Sequence, residues 1–474
     1  MRTALRTDNL EHTRRLMGDR FLLVLAVALF GYAVAGRGFA YLGIAPIYVG
    51  EIVLAMGLLA FMMQKQWSRV MRLAPAMVLV PLMVLGTVRL IPGLAQYEFV
   101  AVRDAVIWGY AAFAIVVATL LIAQPQRLPR LIDRYRTFTK IFLLIMPAVF
   151  LVYRFTGAAM PTWPGTNVKI LQEKEGDVLV HLSGILAFWM ADPKRKVKWI
   201  WASLLTLNMV LMGVVDRAGL LAFGAVLILC LIAKPRHEAA WRTIAMLLCG
   251  FILLWASSFR MEIPGGKGRE ISIERFAESF RSMFTQSQSA ADESNKQWRI
   301  EWWKTIIGYT FNGEYFWTGK GFGVNLANDD GFQVNPDESL RSPHSIHMNV
   351  LARMGVPGLF IWGLVHATWL YCIADAYLRS RRRGHATWCG LFLFLFAYYL
   401  AFLINGSFDV FIEGPMGGVW FWTIYGTGVG ALWAYRYRPD VFADVEVTAA
   451  DEGARRAQLL PAAGWRRPGV PVGA

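Results

Sequence analysis

The chain alternates long apolar runs with short polar segments, and this alternation dominates its pattern. Apolar runs occupy positions 21–35, 47–63, 74–91, 105–123, 138–156, 177–191, 198–214, 218–233, 241–257, 355–375, 386–405 and 416–435. A straight helix needs about 20 apolar residues to cross a bilayer. The runs therefore predict an all-α polytopic membrane protein with about twelve transmembrane helices. The shortest runs, 177–191 and 218–233, rely on flanking Trp side chains, which sit well at the interface.

The polar segments then orient the chain. Arg14, Arg15 and Arg20 precede the first run, and Lys65, Arg69 and Arg72 follow the second. Arg127, Arg130, Arg134, Arg136 and Lys140 come next on the same side, then Lys194, Arg195, Lys196 and Lys198. Lys234, Arg236 and Arg242 follow, and last Arg379, Arg381, Arg382 and Arg383. Lys and Arg gather in cytoplasmic loops, so both termini are expected in the cytoplasm. One long segment, 258–354, falls on the opposite face. The expected organisation is a cytoplasmic N-terminal segment 1–20, helices 1–9 over 21–257, a periplasmic loop 258–354, helices 10–12 over 355–435, and a cytoplasmic disordered tail 436–474.

Within the loop, Phe276, Phe280, Met283 and Phe284 share one face of an amphipathic helix expected over Ile271–Phe284, a pattern suited to lying on a membrane surface. A second helix is expected from Ser294, with Gln297 as its capping-box partner. Trp298, Trp302, Ile306 and Tyr309 line one side of it. A Gly-rich turn, Gly319–Gly323, and an acidic loop, Asn328–Glu338, follow.

Composition agrees with a membrane protein. Of the 474 residues, 56% are hydrophobic and 17% charged, against roughly 45–50% and 25% in soluble domains. The net charge of +15 would suggest nucleic acid in a soluble protein, but here topology accounts for most of it. Cys230, Cys249, Cys372 and Cys389 all lie in or beside apolar runs, so no disulfide framework or thiolate metal site is expected. Polar and basic residues precede the first run with no small-residue cleavage pattern after it, so it is read as a span and not a signal peptide.

A few polar residues lie where chemistry is possible. Arg217 follows Asp216 between two apolar runs; it is a helix-end arginine paired with Asp216, or a phosphate clamp, since its planar fork suits phosphate oxygens. Arg299 is a surface or Trp-stacked residue of the loop helix, or a second such clamp. Arg103, beside Asp104, presents the same choice. His344, within Arg341-Ser342-Pro343-His344-Ser345-Ile346-His347, is a loop histidine making one hydrogen bond, or a base near neutral pH. His344 and His347 are spaced i,i+3, but spacing marks no third ligand, and no metal site is expected. His181 and His366 fall inside apolar runs and suit hydrogen bonding between helices. Gly319-Lys320-Gly321-Phe322-Gly323 lacks the spacing of a nucleotide loop and is read as a turn.

The segment from Asp216 to about Gly358 resembles the O-antigen ligase and polymerase superfamily of bacterial envelope glycan transferases. Three features carry the resemblance: Asp216-Arg217-Ala218-Gly219 at a helix start; Trp298-Arg299 ahead of the Gly-rich turn; and Pro343-His344 leading into a helix with Gly355-Val356-Pro357-Gly358 beyond. The family usually has Asn directly after the His; here it is Ser345. The resemblance implies a GT-C-like membrane fold and a metal-independent transferase of the inner membrane, without a cofactor and with its active site facing the periplasm. The donor would be a glycan on undecaprenyl diphosphate. The acceptor would be lipid A–core for a ligase, or a growing glycan for a polymerase. His344, Arg217 and Arg299 would be catalytic. Arg217, Arg299, Arg103 and Arg341 would hold the diphosphate, and His347 would support them. The absence of a marked acidic nucleophile suggests an inverting single displacement. A secondary transporter or lipid flippase is the competing reading, although such proteins usually show internal repeats.

Overall fold

The computed structural model describes residues 2–44, 47–64, 66–157, 159–191, 197–234, 237–257, 260–262, 270–272, 274 and 290–442. The expected amphipathic helix over Ile271–Phe284 and the tail beyond residue 442 lie largely outside these residues. The longer helices are α1 (Arg2–Ala35), α2 (Val49–Gln64), α3 (Leu79–Tyr97), α4 (Phe99–Gly109), α5 (Ala111–Ala123), α6 (Arg127–Thr156), α7 (Glu175–Ala191), α8 (Trp199–Gly213), α9 (Arg217–Ala233), α10 (Glu238–Ala256), α11 (Ala290–Phe311), α12 (Ile346–Arg382), α13 (Ala386–Gly406) and α14 (Pro415–Tyr437). Each apolar run of the sequence coincides with one of these helices or with the bent pair α4–α5. The loop helix α11 extends back to Ala290, ahead of the expected start at Ser294.

Among the described residues, five helices are long and apolar enough to cross a membrane, and α4 with α5, bent by 43°, makes up to six. The shorter α2, α8 and α9 are also apolar. Side chains on the outward faces are apolar too: Val27 is 61% exposed, Leu253 69% and Ile232 75%. A water-soluble protein would bury them; lipid tails accept them.

The core gathers around α7, every residue of which is buried. A helix apolar on all sides belongs inside a bundle. α7 packs against α9 and α13, and α5 packs against α14. Small residues permit the close approaches, as in membrane bundles generally. A Cβ at Gly219 would lie 2.7 Å from Leu179 and 2.9 Å from the Cα of Gly176, and one at Gly426 would lie 2.4 Å from the Ala114 carbonyl oxygen. Two buried histidines hold the bundle internally. His181 Nδ1 lies 2.6 Å from the Tyr398 hydroxyl, and His366 Nδ1 lies 2.6 Å from that of Tyr399.

Polar contacts tie the helices at their two ends. At one end Arg127 donates to Asp19 at 2.7 Å, Lys234 donates to the Met190 carbonyl at 2.8 Å, and His385 meets the Tyr435 hydroxyl at 3.2 Å. At the other end Tyr110 donates to Glu51 at 2.8 Å, Arg341 donates to Asp104 at 2.9 Å, and Lys174 pairs with Asp409. Helix α12 breaks at Gly355 (φ 67°, ψ −170°), two residues before Pro357. A Cβ there would lie 2.4 Å from the Phe316 carbonyl oxygen, and the positive φ also favours glycine. The break falls where the tenth apolar run begins. It leaves Ile346–Met354 as a separate helical segment at the same end of the bundle as Asp104 and Asp409.

Candidate active site

Arg217 opens α9, and Asp216 is the N-cap. The Asp216 carboxylate accepts the Gly219 N–H at 2.7 Å, satisfying a donor that the first turn would otherwise leave unpaired. Asp216 thus caps the helix that Arg217 begins, and Gly176 leaves room for the carboxylate: a Cβ there would lie 2.9 Å from it.

Arg299 arrives from α11. The apolar stripe of that helix does not face solvent. Trp302 and Ile306 are fully buried against Leu326, Ala327, Leu351 and Ala352. Trp302 donates to Asp330 at 2.6 Å and stacks on Phe332, and Trp303 donates to the Pro343 carbonyl at 2.8 Å. With the helix held this way, the Arg299 guanidinium reaches the Phe408 carbonyl at 2.8 Å. Among the described residues it stacks on no tryptophan. Its charge acts on Asp409, Asp216 and Arg217 together, so Arg217 and Arg299 share one electrostatic neighbourhood.

His344 sits at φ 54°, a backbone conformation that few residues other than Gly, Asn, Asp and His adopt. It lies between Pro343, held by Trp303, and Ser345, whose hydroxyl caps α12 by accepting the Met348 N–H at 3.5 Å. Its ring packs edge-on to Trp298. Burial lowers the His344 pKa to about 4; the Arg299 and Lys174 charges push the same way, and Asp409 opposes them. The imidazole is therefore uncharged at neutral pH. Burial alone would raise Asp409, but the Lys174 ammonium outweighs it and holds the carboxyl below its usual range. Asp216 is raised by burial and by Asp409.

His347 has a different place. Its Nδ1 accepts the Trp362 indole N–H at 3.0 Å, and its Nε2 faces Ser407 Oγ at 3.1 Å. Both nitrogens are committed to packing α12 on α13. Among the described residues, no three or more His, Cys, Asp or Glu side chains form a group that could hold a metal ion.

Arg103 and Arg341 belong to a second group, centred on the buried Asp104. Asp104 accepts from Arg341 at 2.9 Å and from the Gly323 N–H at 3.2 Å, and it pairs with Arg353 at 3.1 Å. Arg103 lies 3.7 Å from the other carboxylate oxygen and is 60% exposed. Half-buried Glu413 joins the two groups, since both Arg353 and Asp409 act on it; desolvation pushes it up to about 7. The structure thus brings Arg217, Arg299 and His344 together and sets Arg103 and Arg341 beside them on Asp104. Sequence reasoning missed Lys174, Asp409, Glu413 and Arg353. Lys174 carried a signal, being a lysine on the side where the charge rule expects few. Asp409 carried none.

No curated protein matches the chain. Residues 201–363 match the family model described as O-antigen ligase. The matched segment holds Arg217, Arg299 and His344, the three residues that converge here. Over residues 201–363 the chain is thus similar to the O-antigen ligase and polymerase superfamily.

Proposed function

We propose that the protein transfers a glycan from undecaprenyl diphosphate to an acceptor hydroxyl at the periplasmic face of the bacterial inner membrane, and that the reaction is ligation of O-antigen polysaccharide to lipid A–core. The observation that carries this reading is the convergence of two guanidinium groups and an uncharged imidazole at one end of a helix bundle. Breaking the glycosidic bond sends its electron pair onto the diphosphate, and Arg217 and Arg299 stabilise the charge that develops there. His344 takes the proton from the acceptor hydroxyl as that oxygen attacks the anomeric carbon. One displacement inverts the configuration, and no metal is required. Arg341 and Arg103 extend the basic surface on the side of Asp104.

The topology in this reading is twelve spans with both termini cytoplasmic. It is supported by the coincidence of helices with apolar runs and by polar contacts that join ends assigned to the same side. The short α7, entirely buried, crosses inside protein and not against lipid.

The test is to incubate the purified protein with undecaprenyl diphosphate glycan and candidate acceptors in EDTA. New linkage supports metal-independent transfer. Movement of lipid without linkage makes the protein a transporter and overturns the reading. A deletion strain separates ligase from polymerase: a lost ladder with intact lipid-linked polymer indicates ligation, and single-repeat products indicate polymerisation.

A further inference from the structure

A cavity of about 270 Å³ opens between the last turns of α3 and the Gly319–Gly323 turn. Its polar lining comes from Arg89, Gln96, Tyr97, Tyr315, Lys320 and Asp329. The Gly-rich turn, which the transfer chemistry leaves without a part, builds one wall. A Cβ at Gly93 would lie 2.2 Å from the Phe322 carbonyl oxygen, and one at Gly323 (φ 99°) would lie 2.5 Å from the Tyr97 side chain. Glycine at both positions lets the turn close onto the helix end.

Charge decides what the cavity suits. Lys320 Nζ lies 2.5 Å from both Asp329 and Asp330, and its ammonium sits 4.2 Å over the Tyr309 ring. Two carboxylates thus balance Lys320 and Arg89, so the cavity offers an anion no net attraction. It offers donors and acceptors side by side, from Arg89, Gln96 and the half-exposed Asp329, together with two phenol rings. That combination fits a neutral polyhydroxylated ring, with its hydroxyls on the polar groups and its C–H face on an aromatic ring. The volume lies just under the roughly 300–1,000 Å³ of small-molecule pockets and suits a single sugar unit.

The wall is also braced to His344. The Gly321 and Val324 carbonyls each accept from Arg353 at 3.2 Å, and the Gly323 carbonyl accepts from Arg341 at 2.7 Å. Arg341 and Arg353 flank His344 in the chain, so the cavity wall and the His344 turn form one unit.

We propose that this cavity holds a saccharide unit of the acceptor and so sets the acceptor hydroxyl relative to His344; the inference rests on the glycan-transfer reading. Its test uses the full-length protein in nanodiscs. Arg89→Ala and Gln96→Ala should each raise the acceptor KM about fivefold, the effect of one lost hydrogen bond, and should leave the donor KM within twofold. In saturation-transfer NMR, core oligosaccharide freed of lipid A, or a repeat-unit oligosaccharide, should receive signal from wild type and lose most of it with either variant. An unchanged acceptor KM, or a rise confined to the donor KM, overturns the proposal. So does a wild type that binds neither oligosaccharide. A wild type that forms no linkage with any acceptor overturns the transfer reading itself, and the NMR arm still judges the cavity.

Discussion

Trp362 donates its indole N–H to Nδ1 of His347 at 3.0 Å. Neutral His347 then carries its proton on Nε2, facing Ser407 Oγ at 3.1 Å, while Ser407 donates onward to the Leu403 carbonyl at 2.8 Å. No nitrogen of His347 is left for an incoming hydroxyl, whereas among the described residues His344 makes no such chain. His344→Ala should therefore cost about 10²–10⁴-fold in transfer, the usual worth of a general base. His347→Gln, which keeps hydrogen-bonding capacity, should cost less than about tenfold and act mainly through packing. Initial rates at matched membrane expression check both. Equal losses would place His347 in the chemistry.

His344 should titrate far below an ordinary histidine. Its pKa is lowered to about 4 by burial, with Arg299 and Lys174 pushing the same way against Asp409. A lowered value means that the neutral, proton-accepting form persists as pH falls from 8 to about 5 and is lost only near 4. Histidine NMR of the substrate-free protein, assigned with a His344→Asn variant, measures this directly. A midpoint near the ordinary 6.5 would show that the imidazole is less buried than described. A bound diphosphate should move the midpoint upward by adding negative charge.

Arg217 and Arg299, proposed as the diphosphate clamp, should not tolerate lysine. Lysine keeps the charge but loses the fork that binds two phosphate oxygens at once. Removing one such group from a developing oxyanion costs about 10²–10³-fold, so Arg217→Ala and Arg299→Ala should fall in that range. The lysine variants should recover only a small part. Activity near wild type in either lysine variant would reduce that residue to a simple counter-charge.

Ser345 stands where the family usually has Asn, and its hydroxyl caps α12. Ser and Asn are nearly equivalent caps, and replacing either with Ala costs roughly 1 kcal/mol. Ser345→Asn should leave both transfer and Tm close to wild type. Ser345→Ala should lower Tm and reduce transfer through the displaced His344 turn. A large loss with Asn would mean that the hydroxyl touches substrate.

The helices were legible because apolar runs leave little choice in a bilayer, where backbone groups must satisfy each other within the helix. The grouping of Arg217, Arg299 and His344 was legible through the order of their motifs. Their surroundings were not. Lys174 and Asp409 meet across 235 positions, and neither sits in a local pattern. Asp104 does pair with Arg103, as their adjacency in sequence suggests, but it also gathers Arg341, Arg353 and the Gly323 amide, contacts that only tertiary packing creates. The start of α11 differs from the expectation because Ser294 has the chemistry of a cap, yet the helix continues through it from Ala290.

Lys174 and Asp409 also set a timetable. A ribosome feeding this chain into the bilayer releases Lys174 and Arg217 long before Arg299 and His344, and Asp409 comes after α13. Until that last carboxylate docks, Lys174 has only Asp177 and Asp216 as counter-charges, and α9 stands next to an unfinished wall. A nascent or truncated chain can thus be inserted, and even span the membrane several times, while remaining inert. Under the proposed transfer reading, activity would begin only when synthesis has nearly ended, and unfinished copies would leave lipid-linked sugar untouched.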